Sequence, residues 1–391
     1  MMNPKYRRSV NLKSRIAGFF AFLLFGCQPA INSDNELLQQ AQHDPAAASR
    51  LAAKRLAANE LQSALKWFRQ AAVLGDARSL QHALQLQQRQ QGKLETARWL
   101  EQQLQQGLIP EAWISAVQRS ELGLWQQPWQ RIGEVYVADQ GCSITLQPVV
   151  SQQAGVNTWQ ILKQQWQQDP QLSQLSVCFN AAIAVNSTVL NCSENSDSLV
   201  QCDYPVLNEL VANAGFSQLL LVAGRGKASY NNGILQLPDN ADLALLQHEF
   251  MHILGFIDEY QLTASAAADV CHSKVTYPNL LLNQTIDDYL KQWQLQRSDI
   301  QLTPVDSCKM AGKQAYRVVA EANVMRSYEL ALPTLYFRLA KQVLAKPEQI
   351  MPVQYYFAYL ARQRQDWPQW QQFMQQASAM GYEDAQQALA P

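Results

Sequence analysis

Charge is scarce in this sequence. Only 16% of its 391 residues are Asp, Glu, Lys or Arg, and 31 basic residues stand against 32 acidic ones. That balance leaves no polybasic footprint and excludes nucleic acid as an expected partner. No long block of like charge occurs and 48% of the chain is hydrophobic, which excludes a disordered, solvating chain. Apolar runs are short. Residues 16–25 form a run too short to span a bilayer as a helix, which takes about 20 residues. The seven cysteines include no C-x₂₋₄-C pair, which disfavours a cysteine-rich zinc site. Histidine occurs only five times, so any clustering of it is informative. What the chain has in excess is glutamine, about one residue in seven, which replaces charge on exposed surface, most densely toward both ends. The length suits two or three domains at roughly 100–200 residues each.

The N-terminus reads as an address. Lys5, Arg7, Arg8, Lys13 and Arg15 precede or begin the apolar run, the layout of a secretory signal peptide over residues 1–26. The run ends Leu24-Phe25-Gly26-Cys27, which resembles a bacterial lipobox. The resemblance implies that Cys27 is lipidated and anchors the mature chain to a membrane, with 27–35 as a tether. Gln28, in place of aspartate, implies sorting to the outer membrane. Six cysteines then remain, an even number in an oxidising compartment, which predicts disulfides. Cys192–Cys202 and Cys271–Cys308 are the expected pairs.

Residues 36–128 and 332–391 read as helix, rich in Ala, Leu and Gln. Trp67-Phe68 precedes Gly75 by the interval at which Trp99-Leu100 precedes Gly107, a period near 32 that suits stacked helical hairpins. The turn 71–77 resembles that of Sel1-like and tetratricopeptide repeats, and a related turn returns at 377–381 around Gly381. The resemblance implies either a groove for a protein partner or a brace packed on the middle of the chain. Between these segments, 135–149 alternates like one or two strands, and strands are expected at 175–185 and 219–222. Trp159, Leu162 and Trp166 share one helical face. Asn231-Asn232-Gly233 predicts a turn between 227–230 and 234–237. Asp239 or Asn240 is the expected cap of a helix starting at Ala241.

That helix carries His248-Glu249-Phe250-Met251-His252. Residues four apart share a helix face, so both imidazoles can reach one ion, and Glu249 stands beside them as a general base. With five histidines in the chain, chance assembly of this pattern is expected about 0.003 times. Residues 248–258 resemble the metzincin signature HExxHxxGxx(H/D), with Asp258 at the third-ligand position. Gly255 fits, because the helix must stop sharply for a residue six beyond His252 to return to the ion. An aspartate there resembles the snapalysin type, and the Asp258-Glu259-Tyr260 ending is similar to IgA-peptidase-like metalloendopeptidases.

The resemblance implies an α+β fold, with a metzincin-like zincin domain over 129–331 flanked by all-α helical-repeat segments. It implies Zn²⁺ as cofactor, held by His248, His252 and Asp258. It also implies a methionine turn in 323–327 with Met325 as its methionine, and Tyr328 as a candidate transition-state stabiliser. Residues 226–229 are the expected edge strand that aligns an extended substrate. Glu259, His272 and Glu321 stay open as other third ligands, while His43 and His82 read as solvent-facing. The expected function is zinc-dependent hydrolysis of peptide bonds in a secreted lipoprotein. A non-catalytic envelope scaffold and a zinc hydrolase of a non-protein amide are the alternatives.

Overall fold

The computed structural model describes residues 33–127, 129–213 and 215–390, so the expected signal segment and Cys27 lie outside the described residues. Helices α1 (Ser33–Gln40), α2 (Pro45–Ala57), α3 (Leu61–Val73) and α4 (Ala77–Gln105) come first. Asp44 and Asp76 start α2 and α4 by accepting hydrogen bonds from N–H groups that have no partner within the helix. Gly75 and Gly107, the two glycines of the repeat, each follow a helix end at positive φ, 114° and 67°. Gly92, at φ 87°, breaks α4 into two. The buried residues Leu51, Leu65 and Phe68 form one core, and Leu80, Leu84 and Leu100 a second, both largely within this segment. A capping box at Ser115 and Gln118 then starts α5 (Ala116–Leu122).

The middle of the chain supplies strands β1 (Trp129–Ile132), β2 (Ile144–Val150), β3 (Val177–Phe179), β4 (Ala182–Val185), β5 (Glu194–Leu199), β6 (Gln218–Val222), β7 (Arg225–Lys227), β8 (Ser229–Asn231) and β9 (Ile234–Leu237). One mixed sheet runs β1-β4-β2-β6-β9-β8, with β3 beside β2. Its interior pairs are parallel, and the edge strands β1 and β8 are antiparallel to their neighbours. Along β6, Leu220 and Val222 join one core and Leu219 and Leu221 the other. Strand side chains alternate between faces, and both faces are apolar because both are covered. Helix α6 (Gln153–Gln168) covers the first face with Trp159, Leu162 and Trp166, as their spacing predicts. The short helices α7 (Ser187–Leu190) and α8 (Asn208–Asn213) lie on the other side.

Helix α9 (Leu243–Ile253) follows the sheet, and α10 (Ala264–Cys271), α11 (Ile286–Gln292) and the small antiparallel sheet of β10 (Leu280–Leu281), β11 (Thr303–Val305) and β12 (Ala315–Arg317) come after it. The last helices are α12 (Thr334–Leu344), α13 (Val353–Gln363), α14 (Trp367–Ala379) and α15 (Glu383–Leu389). Packing runs straight across residue 331. Tyr336 and Leu339 of α12 share the core of α6 and α9, while Val353, Phe357 and Phe373 cover the second face of the sheet.

Three local expectations are corrected. Within 135–149 only Ile144 onward is strand, and Tyr136 makes a lone bridge to Phe179. Residues 225–227 pair with β5, so the free edge is Ser229–Asn231 rather than 226–229. Asp242, not Asp239 or Asn240, caps α9, because its carboxylate reaches the N–H of Leu245. Disulfides join Cys192–Cys202 and Cys271–Cys308 as expected, and Cys142–Cys178 as well. Such bonds suit a non-cytoplasmic compartment. Among the described residues no helix is long and apolar enough to cross a membrane.

Candidate metal centre

Helix α9 presents its two histidines because its other face is anchored. Leu246, Phe250 and Ile253 are buried in the main core, and the Phe250 ring meets Trp166 edge-on at 4.9 Å between centroids. His248 and His252, one turn apart, therefore face the same cavity as Glu249. The helix ends at Gly255, whose φ of 80° places it in the left-handed region. The N–H of Phe256 then returns to the carbonyl of Met251 at 3.2 Å, a bond that closes the helix end. No close neighbour would oppose a Cβ at Gly255; the backbone conformation alone demands glycine.

The returning segment is clamped on each side of Asp258. Asn279, fully buried, accepts from the N–H of Ile257 at 2.9 Å and donates to the carbonyl of the same residue at 2.7 Å. Ser307, beside the Cys271–Cys308 disulfide, donates to the Asp258 carbonyl at 2.6 Å. The N–H of Glu259 donates to the Met325 carbonyl at 2.8 Å. Met325 is itself buried in a turn, where Asn323 Oδ1 accepts from its N–H at 2.9 Å.

Three donor atoms converge as a result. His248 Nε2 lies 3.3 Å from His252 Nε2, and Asp258 Oδ1 lies 3.3 and 3.4 Å from the two nitrogens. Ligand atoms about 2.0–2.1 Å from one tetrahedral ion stand about 3.3–3.4 Å apart, so this triangle has the size such an ion requires. The ring orientation agrees. His248 Nδ1 sits 2.8 Å from the Val324 carbonyl and His252 Nδ1 2.8 Å from that of Phe256. A carbonyl only accepts, so each Nδ1 carries the proton and each Nε2 turns a lone pair inward. Asp258 Oδ1 is buried without a hydrogen-bond donor. Two lone pairs and a carboxylate held this close repel one another unless a proton or a metal cation lies between them, and the three residues could hold a metal ion.

Electrostatics follow from this crowding. Burial lowers the pKa of His252, but the Asp258 carboxylate more than offsets it and holds the ring at about 8. For Asp258, burial acts upward, and the two imidazoles outweigh it, so its carboxyl stays well below the usual range. Glu249 is pushed up, chiefly by burial, with the imidazoles opposing and Asp258 reinforcing the rise. The backbone of Tyr230, on edge strand β8, hydrogen-bonds to this carboxylate. A cavity of about 410 Å³ opens over these groups.

Not every predicted residue comes to the site. Tyr328 is exposed and absent from the cavity wall, and Glu321 is exposed and outside the donor cluster. His272 is exposed at the end of α10, with Nδ1 3.0 Å from the Ala268 carbonyl. Glu259 is fully buried and turned away from the ion site: Tyr336 donates to it at 2.5 Å, Asn323 at 2.9 Å and Asn279 at 3.3 Å. Tyr260, which the sequence offered only as part of the Asp258-Glu259-Tyr260 ending and without a role, lines the cavity, and its hydroxyl faces Asp258 near Glu249. Burial and then these two negative charges push its pKa well above the ordinary phenol range. The signal was present in its position two residues beyond the third donor. Against protein-family models and against curated protein sequences, the chain gives no match.

Proposed function

We propose that the protein is a zinc-dependent, metzincin-like peptidase, exported and anchored through a lipid on Cys27. The observation that carries the reading is the three-donor triangle with a buried, raised carboxylate beside it and an open cavity above. A structural zinc site is normally closed by four protein ligands; the set here has three, which fits a site that leaves room for water and substrate. Bound in this triangle, zinc would supply Lewis acidity that polarises a scissile carbonyl and acidifies water.

The chain's own groups do the rest. Glu249 takes a proton from water as the peptide carbonyl is attacked and delivers it to the leaving amine. Its raised pKa brings it closer to the working pH, which makes it both an acceptable base and an acceptable acid. The Tyr260 hydroxyl, rather than that of Tyr328, is placed to donate to oxyanion charge as it develops. Strand β8, a free sheet edge above α9, offers backbone groups to an extended peptide.

The test is metal analysis together with a broad peptide-cleavage screen. Wild type is expected to carry one zinc per chain and to cleave. His248→Ala loses the metal; Glu249→Gln keeps it while cleavage falls by about 10²–10⁴-fold. Full cleavage by Glu249→Gln would remove the proposed base. Metal uptake should also fall as pH drops below about 8, because protons compete for the His252 nitrogen. Affinity that stays flat from pH 8 to 6 would exclude that ring as a ligand.

A further inference from the structure

A second, larger cavity of about 790 Å³ adjoins the metal centre, and the two share His252 and Tyr230 in their walls. From this cavity we infer the class of substrate: the structure assigns it to a peptide segment carrying carboxylates on the amino-terminal side of the cleaved bond. The inference rests on the peptidase reading above.

Charge selects the ligand. Among the described residues, the only ordinarily charged side chains in the cavity wall are Lys274 and Lys346, and no Asp or Glu lines it. Neither ammonium has an ion-pair or hydrogen-bond partner among the described residues. Two unpaired cations on a concave wall with no counter-charge favour an anionic guest and repel a basic one. Tyr277 and Trp293 provide aromatic surface in the same wall. The volume holds more than one side chain, so a segment rather than a single residue fits it.

Direction follows from the sheet edge. Strand β8 runs Ser229 to Asn231. Ala228 and Ser229 line the cavity over the metal centre, Tyr230 lines both, and Asn232 lines only the larger one. Antiparallel pairing is the more stable per residue, so an added peptide runs opposite to β8. Its earlier residues then lie by Asn232 in the cationic cavity, and its later ones by Ala228. Beyond the histidines and carboxylates, the wall of that cavity is largely apolar, with Leu199, Leu262, Ala266 and Val270, and among the described residues it holds no Lys or Arg.

Two measurements test this separately from catalysis. First, Glu249→Gln protein loaded with zinc is titrated into fluorescent decapeptide pools, one enriched in Glu and one in Lys. The Glu pool should bind about tenfold more tightly at low salt, and the preference should shrink as salt rises. Lys274→Glu/Lys346→Glu should reverse it and Lys274→Gln/Lys346→Gln abolish it. Equal binding of both pools, or a preference untouched by these substitutions, overturns the inference. Second, products from wild-type cleavage of a mixed peptide library are sequenced. Acidic residues should be enriched before the cleaved bond; enrichment after it overturns the assigned direction. If wild type cleaves nothing while the Glu249→Gln protein still discriminates the pools, the peptidase reading fails and the anionic-peptide site stands.

Discussion

The two helical ends of the chain share a composition and differ in what they hold. Helices α1 to α4 bury their apolar residues mainly against one another, in cores of their own. The first segment meets the sheet domain through hydrogen bonds: from α4, Leu94 N–H to Glu194 at 3.1 Å; at the end of α5, Ser187 Oγ to the Leu122 carbonyl at 2.6 Å; and just after α5, Trp125 N–H to Asn186 at 2.9 Å. Helices α13 and α14 instead put Val353, Phe357 and Phe373 into the same cluster as Leu219 and Leu221 of the central strand. The lesson is that one end is a neighbour and the other is a wall. A wall is held by apolar burial at about 25 cal/mol per Å², whereas a few hydrogen bonds contribute about 1 kcal/mol each.

The largest expected effect tests that contrast directly. Phe357→Ala leaves a cavity against the sheet and should cost about 3–5 kcal/mol in denaturant unfolding of the whole domain, with weaker zinc retention alongside. Leu51→Ala, equally buried but in the first segment, should cost about 2–5 kcal/mol in the unfolding of that segment alone, with zinc affinity unchanged. If both substitutions release zinc together, the distinction between neighbour and wall is lost.

A smaller effect sharpens the comparison, because the C-terminal side also reaches the site. Tyr336 on α12 donates to Glu259, the residue that follows Asp258 of the donor triangle, and Arg317 stands 3.9 Å from the same carboxylate. Burial pushes the Glu259 carboxyl up, and the donors from Tyr336, Asn279 and Asn323 hold it back. Removing the phenol in Tyr336→Phe leaves a buried acceptor short of a partner, a cost of about 1–3 kcal/mol. It should also loosen the Asp258 turn, with zinc affinity reduced about 10–100-fold. Competition with a chelator reads this out; unchanged affinity would make Glu259 a purely structural group.

What the sequence made legible was local. The spacing of His248, Glu249 and His252 lies within one helical turn, and Gly255 announces its own backbone, so both could be read directly. The Asn232-Gly233 turn was legible for the same reason, with φ of 51° and 83°. The partners of Glu259 come from 279, 317, 323 and 336, and nothing in a linear pattern joins them. The edge strand was displaced because 225–227 pair with β5, a partner some 30 residues upstream in the chain. Asp239, Asn240 and Asp242 can all cap a helix, and only the three-dimensional path decides among them. The two ends looked alike for the same cause: amphipathic periodicity reveals an apolar face and not what covers it.

The smallest expected effect concerns the hydrogen bonds at the first end. Glu194 begins β5 and accepts from Leu94 N–H through both oxygens at 3.1 Å, and from Gln152 at 3.3 Å. It sits where Gly92 bends α4, and a Cβ on that glycine would lie 2.2 Å from its Oε2. The same strand ends in Leu199, which lines the cavity over the candidate metal centre, and the Cys192–Cys202 disulfide brackets it. A polar contact on the first segment is thereby linked to one wall of the site through a short, cross-linked loop. Glu194→Gln keeps one acceptor oxygen and should cost about 1 kcal/mol or less, with zinc content unchanged. Gly92→Ala is harsher, since it meets both positive φ and the carboxylate, and should cost more than the loss of the charge alone. If either substitution changes KM for peptide while leaving metal binding intact, the first segment shapes the substrate wall through β5. If both change only the melting of α1 to α4, it is a neighbour in function as well as in packing.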